Sequence, residues 1–417
     1  MTRPARACFF VGNYRPEAFG IGRYVPHYVD ALAAAGWTVE VFAPYPFYPA
    51  WRLDRSIPAE SSEAGDRVRV SRYAPFVPRR PAGGLRILHD LSLGWHAMRR
   101  LGFRAGPADL FVAASPPLLG AAVTVQVARW RRRPSLVLAY DLVADLAGDA
   151  FGALAGLPGR ALRAIEAGMY AHASHVIALS EEMAKRIGSL SGRATSASVL
   201  RIWADDGLFR LDHDKAAASF RREQGLTPET RLVGFAGNFG RKQQLSAVAE
   251  AASSLPEGFR TVFVGDGPHR ADLERIAGVS PDRVRMLPPQ PDDRLYAFLA
   301  ACDASIVVAW TRHGGSLFPS KVANILAAGC PVVAVAPPDC ELARLIESEA
   351  LGVVCTSLAP DDLRAALTRG AELGRAPAQR LQCRRYAERH LRRDAVTARF
   401  VSEAERLVSG PQPAMIP

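Results

Sequence analysis

The stretch Gly315-Ser316-Leu317-Phe318-Pro319-Ser320-Lys321-Val322-Ala323-Asn324-Ile325-Leu326-Ala327-Ala328-Gly329-Cys330-Pro331-Val332-Val333-Ala334 reads in turn as a loop, a helix and a buried strand. Pro319 has its φ preset for a first helical turn. Ser320 to Ala328 is a run of good helix formers. Gly329 suits the left-handed position just past a helix end, and Cys330-Pro331 forbids continuation. The β-branched run Val332 to Val335 reads as a strand covered on both faces. The loop and helix start offer free backbone N–H groups, a small positive dipole and the Lys321 ammonium. That combination suits an anion such as a phosphate. The same residues also fit one more helix–strand unit of an α/β domain, with no ligand.

The same alternation extends through the second half of the chain. Leu232 to Gly237 reads as a strand, followed by the loop Asn238-Phe239-Gly240 and then Arg241-Lys242 opening a helix. Arg260 to Val264 is a strand closed by Gly265-Asp266-Gly267-Pro268, with a helix from about Arg270. Strands follow at Val284 to Leu287 and Ala304 to Val308, with a helix at Leu295 to Ala301 between them and a last short strand at Val353-Val354. Helices fill Pro360 to about Val408.

The first half opens on Ala7 to Val11, a glycine loop ending in Gly20-Ile21-Gly22, a helix from Arg23 to Ala35 and a strand from Thr38 to Ala43. A glycine loop leading from strand to helix is a usual ligand position in an open α/β sheet. The third glycine of the dinucleotide fingerprint is missing, which speaks against nicotinamide. Residues 44–84, rich in Pro, Tyr and Arg, read as a long functional loop with a strand near Val68 to Tyr73. Leu85, Leu88, Leu91, Trp95 and Met98 fall at helical spacing. They read either as the face of a helix packed on the sheet or as a basic amphipathic helix at a membrane surface. Arg129 to Arg133 is either a solvated helix end or part of the same basic surface. Leu136 to Tyr140 is a strand ending at Asp141, where a carboxylate either caps the next helix or meets a ligand. Residues 206–229 are polar and break the pattern. The expected organisation is therefore 1–205 as one domain, 206–229 as a linker, 230–385 as a second domain, and 386–417 as a helix and tail packing back on the first.

Composition sets the outer bounds. The chain has 417 residues and a formal net charge of +11, and its four lysines (Lys185, Lys215, Lys242, Lys321) leave arginine as the main cation. A basic surface suits phosphorylated ligands or an anionic membrane face; nothing in the sequence resembles a nucleic-acid module. The six cysteines lack ligand-like spacing and read as buried thiols in a reducing compartment, with no metal site. No uncharged apolar run reaches membrane-spanning length. The expected location is the cytoplasm, peripheral to a membrane's inner face.

Taken together the motifs resemble glycosyltransferase family 4, in the subgroup of bacterial colanic-acid and O-antigen transferases. The segments that carry the likeness run from Gly12-Asn13-Tyr14 and Gly20-Ile21-Gly22-Arg23-Tyr24 through Ser115-Pro116-Pro117, Trp203-Ala204-Asp205 and Gly237-Asn238-Phe239-Gly240-Arg241-Lys242 to Phe318-Pro319-Ser320-Lys321. The resemblance implies the GT-B fold, two Rossmann-like β/α/β domains facing a central cleft. It implies retaining transfer from a nucleotide-diphosphate sugar, with no cofactor or metal, to a lipid-linked or oligosaccharide acceptor in surface-glycan biosynthesis. Lys242, Lys321 and Asp141 are then the expected catalytic residues. Gly20, Gly22, Asn238, Gly240, Arg241, Gly265, Asp266, Gly267, Leu287, Ser316, Ser320 and Asn324 are the expected donor contacts. Ser316 and Asn324 stand where the broad family has a pair of glutamates. That departure motivates an alternative, a catalytically degenerate GT-B protein that binds nucleotide or glycan.

Overall fold

The computed structural model describes residues 3–17, 20–80, 84–143, 157–192, 197–240, 244–310 and 318–410. The chain divides into two compact units, Met1–Leu200 with Thr397–Pro417, and Arg201–Val396.

In the first unit, β1 (Arg6–Phe10), α1 (Val25–Ala34) and β2 (Thr38–Pro44) form the expected opening, with a short 3-10 turn at Gly20–Arg23. The edge follows as β3 (Glu60–Glu63) and β4 (Val68–Tyr73). Then come α2 (Gly84–Phe103), β5 (Leu110–Ser115), α3 (Leu118–Trp130), β6 (Ser135–Ala139), α4 (Leu157–His172), β7 (His175–Ala178), α5 (Glu181–Ser191) and β8 (Ala197–Val199). The eight strands order as β3-β4-β2-β1-β5-β6-β7-β8, parallel except where β3 meets β4. Strands such as β5 and β6 are buried at every position, as a sheet covered by helices on both faces requires. Strand β4 lies where 44–84 is expected to hold a strand, and β3 corrects the reading of the rest of that segment as loop. Its sequence, Glu-Ser-Ser-Glu, has no apolar alternation to betray a strand; it pairs only as the polar edge that shields β4.

The second unit begins with α6 (Asp206–Arg210) and α7 (His213–Glu223). Its sheet holds β9 (Arg231–Asn238), β10 (Phe259–Asp266), β11 (Val284–Leu287), β12 (Ala304–Val308), β13 (Val332–Val335) and β14 (Gly352–Cys355). These strands are all parallel, in the order β11-β10-β9-β12-β13-β14. The intervening helices are α8 (Leu245–Ser253), α9 (Arg270–Val279), α10 (Asp292–Ala301), α11 (Lys321–Ala327), α12 (Glu341–Ser348), α13 (Pro360–Leu373) and α14 (Pro377–His390). The last helix, α15 (Arg393–Ser409), starts in this unit and carries the chain back to the first. There the Phe400 ring lies 4.5 Å from that of Tyr28, and Glu403 lies 3.6 Å from the buried His175.

The boundary therefore falls at Leu200, not in 206–229. That polar stretch forms two helices that bury Leu208 and Phe220 in the second unit's core, with Phe209 and Ala217 packed against it. The Phe220 ring lies 5.4 Å from that of Phe298. The same stretch supplies Arg221, which donates at 2.9 Å to Asp303, a residue only 4% exposed. The Asp303 carboxylate also accepts from the Leu232 backbone N–H at 2.8 Å, so one acid ties α7 to the root of β9. All six cysteines are buried free thiols, and no helix among the described residues is long and apolar enough to cross a membrane.

Removing one partner of a buried ion pair leaves the other charge uncompensated. Asp303→Ala should therefore cost about 3–5 kcal/mol, read as a lowered urea midpoint by circular dichroism. A midpoint unchanged from wild type would show that this tie carries no stability.

Candidate functional site

In an open α/β sheet the crevice for a ligand lies at the strand C-termini where the strand order reverses. In the second unit that point falls between β9 and β12, since β10 and β11 extend to one side and β13 and β14 to the other. The ends of β9 and β10 approach each other unusually closely there. Asn238 pairs with Asp266, and Gly237 with Gly265. A Cβ on Gly265 (φ +149°) would lie 1.9 Å from the Gly237 carbonyl oxygen, and one on Gly267 (φ +153°) would lie 2.5 Å from Asn238 Oδ1. Phe239 N–H donates to Asp266 O at 2.8 Å and His269 N–H to Phe239 O at 3.1 Å. The two loops are thus stitched into one platform, and these glycines are required by backbone crowding.

Lys321 stands over this platform. Its Nζ lies 4.0 Å from the centre of the Phe235 ring, and a Cβ on Gly237 would come within 2.8 Å of it. Gly237 therefore clears the space that the ammonium fills. The ring face attracts the cation, but no carboxylate pairs with Lys321 among the described residues. Burial pulls its pKa down to about 8. The result is a poised positive charge at the switch point, with no carboxylate partner among the described residues. Phe235 and Gly237, which form its seat, are not among the expected donor contacts, although Gly237 opens one of the motifs that carry the likeness.

The helix that follows contributes less than expected. α11 has seven residues, and two of its early N–H groups are already used: Val322 donates to Pro319 O at 3.1 Å and Ala323 to Ser320 O at 3.3 Å. The charge at this loop therefore comes from the lysine side chain and not from a helix dipole. Ser320 is exposed and its hydroxyl makes no capping bond. Gly329 (φ +71°) ends the helix as read from the sequence. Asn324 has a partner of its own. Its Nδ2 donates to Asp205 Oδ2 at 2.8 Å and its Oδ1 accepts from Asp205 N–H at 2.9 Å, so both ends of the amide clamp the Trp203-Ala204-Asp205 segment to α11. Gly240 follows the platform, and Leu287 ends β11 in register with Val264. Arg241, Lys242 and Ser316 lie outside the described residues.

The first unit has its own reversal, between β1 and β5. Gly12 and Pro117 meet there, with a Cβ on Gly12 only 2.6 Å from Pro117 Cδ. Gly20 (φ +55°) faces open space, whereas Gly22 is explained by its own loop, since a Cβ would lie 2.8 Å from Glu17 O. The buried Glu17 carboxylate, not anticipated from the sequence, accepts from Asn13 Nδ2 at 2.9 Å and from the Phe47 and Tyr48 N–H groups at 2.6 and 2.7 Å. It fixes the glycine loop against the 44–54 segment. Asp141 follows β6. Burial raises its carboxyl pKa to about 6, and it makes no hydrogen bond or ion pair among the described residues. The neighbouring Tyr140 ring stacks 6.1 Å from that of Tyr24.

Two doubly covered, mainly parallel sheets, each with loops gathered at an order reversal, make up an α/β fold of GT-B architecture. Residues 19–203 match the glycosyl transferase 4-like domain and residues 230–372 the glycosyl transferases group 1 domain. The chain belongs to glycosyltransferase family 4. It is 28% identical over 402 residues to the Escherichia coli (strain K12) protein WcaI, named for colanic acid biosynthesis glycosyl transfer, covering 94% of this chain and 97% of that one. Among solved structures, sucrose-phosphate synthase from Thermosynechococcus elongatus superimposes with a TM-score of 0.71 at 18% identity, over 97% of this chain and 99% of that one. Anabaena HepE in complex with UDP-glucose gives a TM-score of 0.63 at 14% identity, over 96% and 99%.

The crowding at the platform sets a test. Gly265→Ala places a methyl group against a carbonyl at a φ that side chains avoid, and should cost about 3 kcal/mol. Thermal unfolding of the variant checks this; an unshifted midpoint would mean that the two loops separate without penalty.

Proposed function

We propose that this protein is a retaining, metal-independent glycosyltransferase. It moves a sugar from a nucleotide-diphosphate donor to a lipid-linked or polysaccharide-precursor acceptor in bacterial surface-glycan biosynthesis, at the cytoplasmic face of the membrane. The observation that carries the reading is Lys321, a half-buried cation at the switch point of the second unit that pairs with no carboxylate among the described residues. A diphosphate is the natural counter-charge. The HepE structure, which holds UDP-glucose, and the name of the E. coli relative support the donor class and the pathway class. In this reading Lys321, with Lys242 and Arg241 from the adjoining loop, neutralises the leaving diphosphate. The bond from the anomeric carbon to the β-phosphate oxygen breaks. The acceptor oxygen bonds on the same face, and its proton passes to the departing phosphate, so no metal or separate base is needed. Asp141, in the first unit, accepts a hydrogen bond from an acceptor hydroxyl.

A second reading, a degenerate GT-B protein that binds without transfer, draws on Asn324, whose amide is committed to Asp205 where the broad family has a glutamate. Turnover separates the two: release of nucleoside diphosphate from any of a panel of UDP-, GDP- and dTDP-sugars supports transfer, and binding without release supports the alternative.

Charge develops on the leaving group in the transition state, so Lys321→Ala should lower kcat on the order of 10²–10³-fold, about 3–4 kcal/mol. In the wild type, kcat/KM for donor should fall as pH rises through about 8, because the free enzyme's lysine loses its charge there. A variant within twofold of wild type, together with a flat profile to pH 9, would remove Lys321 from the donor site.

Asp141→Asn should lower kcat/KM for acceptor roughly 10- to 100-fold, the scale of a hydrogen bond to a charged group. Donor hydrolysis and thermal stability should change little. Unaltered acceptor kinetics would leave Asp141 as a structural carboxylate.

A further inference from the structure

Helix α2 has two apolar faces. The inward one is Leu93, Ala97 and Leu101, all buried in the core beside Phe111. The outward one is Leu88, Leu91, Trp95 and Met98, which recur at three- and four-residue spacing and remain 51%, 50%, 65% and 44% exposed. The stripe visible in the sequence is therefore not the one that packs on the sheet. Nearby, Phe103 is 84% exposed and Trp130, at the end of α3, 72%. Arg131 joins these two helix ends by donating to Gly102 O and Ala105 O, each at 3.1 Å. At the other end of α2, Arg86 lies 5.9 Å over the Trp51 ring. A contiguous apolar surface of this kind marks an interaction site.

The charge around it selects the partner. Between Ala74 and Ala108 the chain carries six arginines and a single acid, Asp90. That acid is turned inward, where it accepts from the Leu119 N–H at the start of α3 at 3.2 Å. Arg99, Arg104, Arg129 and Arg132 are exposed and have no carboxylate partner among the described residues. Two copies of this face would set arginines against arginines. An anionic bilayer offers the complement to both components, with acyl chains for Leu, Trp and Met and headgroup phosphates for the guanidinium groups. An interfacial helix of this type buries its apolar face at the headgroup–acyl boundary.

We propose that the outer face of α2, with Phe103 and Trp130, inserts into the interface of an anionic membrane and holds the first unit there. The proposal rests on the membrane-side transfer reading only for its biological setting. The surface itself is defined by exposure and charge.

The test is co-sedimentation of the full chain with vesicles of phosphatidylcholine containing 30% phosphatidylglycerol. Binding should fall more than tenfold in pure phosphatidylcholine and should weaken with added salt. The double variant Leu88→Glu/Trp95→Glu, altered only at exposed positions, should fold with an unchanged thermal midpoint and lose at least tenfold in vesicle affinity. Its donor hydrolysis should stay at the wild-type level. Arg99→Glu/Arg132→Glu should lose affinity for anionic vesicles while leaving the weak binding to neutral ones unchanged. Quenching of tryptophan fluorescence by lipids brominated on the acyl chain should decrease in Trp95→Phe. Equal binding of wild type and Leu88→Glu/Trp95→Glu would overturn the proposal, as would a concentration-dependent dimer that the double variant abolishes without any vesicle binding by the wild type. Vesicle binding as expected in a protein that hydrolyses no sugar nucleotide would instead count against the transferase reading and leave the surface standing.

Discussion

A parallel sheet buried on both faces has only its strand ends left to meet a ligand. This constraint organises both units. The central strands here are short, mostly apolar runs, so the faces of the two sheets are given over to packing. Chemistry is confined to the loops that leave the C-terminal edge. Where the order of strands reverses, two loops diverge and a crevice opens; everywhere else the next helix closes over the edge. The residues argued to matter, Gly12 and Asp141 in one unit and Gly237 and Lys321 in the other, all sit at or beside that edge.

What distinguishes the second unit's edge is the way crowding and charge reinforce each other. Gly265 and Gly267 allow two backbones to come nearer than side chains permit, and Gly237 leaves room for the Lys321 ammonium. That closeness packs the loops into a rigid floor of amides and aromatic rings. A lysine laid on such a floor loses much of its hydration, which is why its proton is held less tightly. The penalty is borne by the protein as it stands and would be relieved by an anion. The Asn324–Asp205 clamp belongs to the same economy of form: it anchors the segment that carries the lysine, so the ammonium is held in position by rigid neighbours.

Much of this was legible in the sequence because parallel strands and glycine loops leave local marks. The β-branched run at Val332, the glycine loop before Arg23 and the stop at Gly329 each follow from the chemistry of a few adjacent residues. The motif order from Gly12 to Lys321 named the family. What was not legible depends on distant partners. Nothing in Glu60-Ser61-Ser62-Glu63 says strand until β4 is beside it. The two helices at 206–223 look like a linker because their inward residues, Leu208, His213 and Phe220, are sparse among charged ones. Periodicity showed that Leu88 and Trp95 share a helical face but not whether that face meets the sheet, since Leu93 and Ala97 on the opposite side fill that role. Asn324 was read as a substitute for a glutamate, and its engagement with Asp205 required the fold.

The return of α15 to the first unit has a consequence for how the protein is made. The first unit is discontinuous in sequence, and the ring of Tyr28 waits for Phe400, as His175 waits for Glu403. During synthesis, at roughly 5–20 residues per second, the whole second unit must emerge before those partners exist, a delay of tens of seconds. A nascent chain therefore carries its amino-terminal sheet with one seam open, and α15, which emerges after the second unit, is the helix that closes it. Truncation within α15 removes a piece of the amino-terminal unit, although the cut is made at the opposite end of the chain.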